Sequence, residues 1–164
     1  MEKFKNLVLE ANKTLRLADH MLYVTYPLIK DNKLLVSILE NIDKSIKKAI
    51  DAFIRYDLIY KRIRLNPESF RDKIILFSKI STRRYNFNED DFDFIKKIDD
   101  IIKKHKESPV EFAKGDKFVI CYNHYKTKIL TFEDMKSYIL KAKPFIVKLN
   151  NILQNDELLR RIKR

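Results

Sequence analysis

Arg16, Asp19, His20 and Tyr23 recur at spacings of three and four, which puts all four on one face of a helix. An imidazole that titrates near neutrality can move a proton while a guanidinium holds a phosphate. Arg16 and His20 are therefore the candidate catalytic pair, and the chemistry would be cleavage of a phosphodiester. The same residues also make ordinary surface pairs, Arg16 with Asp19 or Asp19 with Tyr23, leaving His20 at the edge of the core.

Other catalytic chemistries find less support. A zinc site needs several converging His, Cys or carboxylate ligands, and the chain has three histidines and one cysteine. Cys121 and His124 lie close together without a second ligand pair, so no metal is expected. One glycine cannot build a phosphate loop, whose glycines let the backbone approach the phosphates. Cys121 sits in an apolar run that favours an inert thiol over a nucleophile. The adjacent pairs Asp90-Asp91 and Asp99-Asp100 point apart on a helix. The expectation is a non-enzymatic protein without a cofactor.

Binding chemistry is better represented. Thirty-five Lys and Arg against 23 Asp and Glu give a net charge of +12, which favours polyanionic partners. Aromatic residues interleaved with cations supply stacking platforms beside phosphate contacts. Three segments have that pattern: Arg55, Tyr56, Tyr60, Lys61, Arg62 and Arg64; Arg83, Arg84 and Tyr85; and Tyr122, His124, Tyr125, Lys126 and Lys128. They nominate nucleic acid, RNA ahead of DNA, bound through its phosphates. Another protein, including a second copy in a homodimer, is the alternative partner, and a peripheral role on an acidic membrane surface is a further one. Lysine-rich, glycine-poor composition also follows from a biased genome, which would give the same charge without any partner.

The elements that must position these groups are mainly helical. A chain of 164 residues with 45% hydrophobic residues spread throughout can bury one core in a single domain. Scarce glycine and proline argue against a turn-rich β fold. Phe4, Leu7, Val8, Ala11, Leu15, Ala18, Met21 and Leu22 mark a first helix from Glu2 to about Thr25, which Tyr26-Pro27 should end. After a cap at Asp31 or Asn32, the helical period runs from Leu34 to Tyr60 and closes near Asn66-Pro67. The two would form a long N-terminal helical hairpin in an elongated bundle of about five helices.

A third helix is expected from Pro67 to Ser81, then a basic loop at Arg83-Arg84-Tyr85. Asn88 caps a fourth, with Glu89, Asp90 and Asp91 at its positive end and Lys103 to Lys106 at its negative end. Lys117 to Tyr122 and Tyr125 to Leu130 read as a β-hairpin, entered through a Gly115-Asp116 turn. Thr131 then caps a last helix that Pro144 should kink, followed by a basic tail over 155–164 that should fray at its end. No apolar run approaches the roughly 18 residues of a membrane span. The N-terminus MEKFKNLVLE has no signal-peptide pattern, so the expected location is cytoplasmic.

With its Arg-then-His element, a helical domain of this size resembles the HEPN superfamily at the level of fold. Ribonucleases of that superfamily use an Arg and a His with four to six residues between them, usually in a dimer. Three residues separate Arg16 from His20. The resemblance implies ribonuclease activity at this pair. The strings LRLADHMLYVTYPLIKD and SPVEFAKGDKFVICYNHYKTK are similar to those of small archaeal proteins of no assigned function, and that likeness implies no activity.

Overall fold

In the computed structural model, which describes residues 2–162, the first amphipathic stripe forms α1, Glu2–His20. Pro27 does not end it. The chain instead widens into a π-helical turn over Met21–Thr25 and continues as a short α2, Tyr26–Ile29, with Pro27 in its first turn. A proline ring clashes with the carbonyl four residues back and lacks an N–H to donate. A wider turn just upstream removes both conflicts, as π-bulges do elsewhere. Lys30, in the left-handed region at φ 54°, then stops the helix.

The second helix, α3, spans Lys33–Ile59, roughly 40 Å at 1.5 Å per residue. It ends before Asn66-Pro67, because Tyr60 leaves the helical ladder and Lys61 turns left-handed at φ 56°. Its start falls at the expected Asp31-Asn32 cap. Asn32 holds the N-cap position but offers its side chain elsewhere, and Asp31 Oδ1 accepts the Lys33 N–H instead. Asn32 accepts from the Tyr26 hydroxyl (2.7 Å) and donates to the carbonyl oxygens of Gly115 (2.5 Å) and Lys117 (3.5 Å).

Helix α4 covers Phe70–Tyr85, capped by Ser69 rather than started by Pro67. The basic segment Arg83-Arg84-Tyr85 is its last turn, not a loop, and Asn86 at φ 56° closes it. Helix α5, Glu89–Glu107, begins in the expected manner, with Asn88 and Asp91 exchanging bonds in a capping box. The expected hairpin is the larger part of a three-stranded antiparallel sheet of order β1-β2-β3: Val110–Lys114, Lys117–Tyr122 and Lys126–Leu130. Gly115, at φ 61°, makes the turn between the first two strands. Thr131 and Asp134 then form a capping box for α6, Phe132–Ile162. This helix runs through Pro144 and takes most of the expected basic tail into its last turns. Lys163 and Arg164 lie outside the described residues.

Buried residues from Phe4 to Leu153 make one contiguous core around α3. Helix α1 lies antiparallel to α3, with Phe4 against Tyr56, Ala11 O accepting from Ser45 and Met21 beside Asn41. It is also antiparallel to α6, through Lys5–Glu157, Asn12–Asn150 and Asp19–Lys143. The sheet packs Phe118, Ile120 and Leu130 inward. His105 joins it to the helices, with Nδ1 2.5 Å from Glu111 Oε1 and Nε2 3.3 Å from Glu40 Oε1.

Asn32→Ala removes the buried amide that joins Tyr26 to the Gly115 and Lys117 carbonyls, a loss of about 1 kcal/mol. A lowered midpoint in urea, with earlier hydrogen exchange in β1 and β2 than in α1 and α6, is the expected result.

Candidate nucleic-acid interface

Helix α3 ends in a fully buried acid, Asp57. An ionised carboxylate inside a protein requires a counter-charge, and Arg62 returns from the turn after the helix to supply it. Its Nη1 stands 3.0 Å from Asp57 Oδ1 and 3.2 Å from the Tyr85 hydroxyl, while Nη2 stands 2.6 Å from Asp156 Oδ2. Asp156 also accepts from the Tyr56 hydroxyl. Burial raises the pKa of Asp57, opposed by the bond to Arg62 and by the nearby charges of Arg62 and Arg84. Burial works against the guanidinium too, but its bonds to Asp156 and Asp57 outweigh that, and the Arg62 pKa is raised.

This network brings the first two basic segments together. Tyr85 belongs to α4 and Arg62 to the turn after α3, and Asp156 adds the end of α6. Three helices thus finish at one end of the molecule, beside the start of α1. The acids inside this end are occupied: Asp57 and Asp156 by Arg62, and Glu157 by Lys5 (3.0 Å) and Arg161 (3.1 Å). Lys3, Arg55, Lys61, Arg64, Arg83 and Arg84 are exposed and make no ion pair among the described residues. Arg83 turns toward the α4–α5 groove, which Glu89 and Asp93 also line.

The third segment stands apart. Tyr122 faces inward, half-buried beneath the Lys104 ammonium at 4.8 Å from its ring centre. His124 and Tyr125 occupy the turn from β2 to β3, and Lys126 N donates to Asn123 O across it at 3.3 Å. Both are left-handed, at φ 55° and 63°. Glycine adopts that region without penalty. A side chain in that region costs roughly 1–2 kcal/mol. Tyr125 is 99% exposed. Lys126 is exposed and Lys128 half-buried.

Arg16 and His20 project from the exposed side of α1, and neither bonds another side chain among the described residues. Asp19 pairs with neither Arg16 nor Tyr23, but with Lys143 of α6 at 2.7 Å. No group of three or more metal-ligating side chains occurs among the described residues. Cys121 is half-buried on the outer face of the sheet. On that face Val110, Phe112 and Ile129 stay 54%, 44% and 43% exposed around Val119. No described helix is long and apolar enough to cross a membrane.

Sequence reasoning missed Asp57 and Asp156. Only the five-residue step from Asp57 to Arg62 was a local signal, since Arg62 and Asp156 are 94 positions apart. Compared with known proteins, the chain finds no matching family model, curated protein or solved structure.

Arg62→Met removes the counter-charge from a buried carboxylate, a cost of about 3–5 kcal/mol. A carboxyl whose folded pKa is raised binds protons more readily folded than unfolded, so its burial is most unfavourable at high pH. The loss of stability in Arg62→Met should therefore be larger at pH 7.5 than at pH 5, as read by urea denaturation at both. A loss independent of pH would show that Asp57 is not the group left uncompensated.

Proposed function

We propose that this protein is a non-enzymatic nucleic-acid-binding protein that holds the phosphate backbone at the end where α3, α4 and α6 finish. One observation carries the reading. Exposed cations gather there from four separate segments, and the acids inside this end, Asp57, Asp156 and Glu157, are already paired. Helix dipoles explain part of this charge, because cations are favourable at helix C-termini. Three such ends present roughly −1.5 charges in total, fewer than the six exposed cations. The surplus is available to phosphate. RNA and DNA share that chemistry, and contacts made through backbone oxygens carry little sequence information.

Roles within the end differ by residue. Arg62 is a positioning residue, since two carboxylates and a tyrosine occupy its donors. Arg64 and Arg84 are the exposed contacts it sets in place. Lys61 is held beside them by its left-handed turn.

If about four phosphates are neutralised, affinity for a single-stranded oligonucleotide should fall with salt at a log–log slope near −3. Arg64→Glu combined with Arg84→Glu should weaken binding at least tenfold and flatten that slope by 1 or more. Fluorescence anisotropy with labelled RNA and DNA across a salt series measures both. Binding that ignores salt, or none at low ionic strength, would remove the proposal.

A further inference from the structure

The hairpin tip combines three observations that structural needs do not account for. The three-residue connection of Asn123, His124 and Tyr125 has positive φ at its last two positions, filled by histidine and tyrosine where glycine would relieve the backbone. Tyr125, the bulkier of the two, is 99% exposed and gains nothing from burial there. Exposed Lys126 follows it in sequence, Lys128 lies half-buried two positions beyond Lys126, and Lys104 covers the neighbouring Tyr122 ring while paired with Asp100 at 2.6 Å. Local strain retained without a packing reason marks a position kept for contact.

We infer that Tyr125 is a stacking platform for an unpaired base of single-stranded nucleic acid, with His124 and Lys126 beside the adjoining phosphates. The ligand class follows from the chemistry. An exposed phenol ring flanked by cations offers a π-face and a positive field together, the combination single-stranded nucleic acid uses without sequence preference. Inside a duplex the base faces are stacked on one another, whereas a single strand offers a free face at every nucleotide. The inference rests on the proposed nucleic-acid function but concerns a different surface. His105, near the sheet, meets Glu40, some twenty residues along α3 from the basic end, or roughly 30 Å. The tip is therefore a separate segment of the fold from the surface that holds phosphates.

The test compares a labelled eight-nucleotide pyrimidine strand, in RNA and DNA forms, with an abasic sugar–phosphate strand of equal length. Native protein should bind the base-bearing strands about tenfold more tightly than the abasic one, within the range that stacking on one aromatic ring supplies. Tyr125→Gly should remove that difference while raising the thermal midpoint, because glycine relieves the turn. Tyr125→Phe should keep the difference. Arg64→Glu with Arg84→Glu should weaken all strands alike, so loss of the phosphate surface is told apart from loss of the platform. Equal binding of base-bearing and abasic strands by native protein would overturn the inference and leave the phosphate surface standing. Unchanged discrimination in Tyr125→Gly would also overturn it, and binding of neither strand would overturn both.

Discussion

The burial of Asp57 is the constraint from which the shape of one whole end follows. A carboxylate without exposed surface at the end of the central core helix has to be answered from nearby, and the chain must turn sharply to bring Arg62 back. That guanidinium has more donors than one carboxylate can use, and its remaining bonds fix Tyr85 and Asp156. The ends of α3, α4 and α6 are thereby drawn into one cluster. Surface arginines and lysines are placed by this internal pairing rather than by contacts of their own.

A second charged group acts in the middle of α3. Lys47 joins Asp43 (2.8 Å) and Asp99 (3.0 Å) while lying over the Phe70 ring, and Asp99 also holds Lys103. Burial acts against both partners, yet the bonds from Lys103 and Lys47 keep the Asp99 pKa lowered and those to Asp43 and Asp99 keep the Lys47 pKa raised. Acids therefore serve the interior and the start of α5, whereas many cations have no partner inside the protein. The positive charge is an outward-facing property of the fold, and the end of the bundle and the tip of the sheet are two of the places that display it.

Much of the helical framework was legible because it is local. The stripes of α1, α3, α5 and α6, the capping boxes at Asn88 and Thr131, and the strands on either side of Asn123 all follow from neighbours within a few positions. Boundaries failed where a local rule met a distant partner. Pro27 reads as a stop only if the preceding turn is an α turn, and no residue pattern announces the π geometry. Val110 to Lys114 is too short and too near the preceding helix to read as a strand without its partner, since its pairing with Lys117 to Cys121 is what makes it one. The candidate binding residues were identifiable by type, but their division into two separate surfaces was not. It depends on Arg62 meeting Asp156 and on Lys104 meeting Tyr122, contacts that span long stretches of chain.

Asn32 has a further consequence, for the order in which the chain can assemble. Its side chain reaches carbonyls 83 and 85 positions further on, and Tyr26 stacks on Phe132 at 5.5 Å between ring centres. During synthesis α1 and α3 can pair as soon as both have emerged, because their contacts are close in sequence. The start of α3 must wait, with its amide solvated, until the sheet and the first turn of α6 have been made. Each doubling of a closed loop adds only about 0.6 kcal/mol of entropy cost, so it is the order of synthesis that delays this contact. The N-terminal helices thus form early, and the docking of the sheet onto Asn32 completes the molecule.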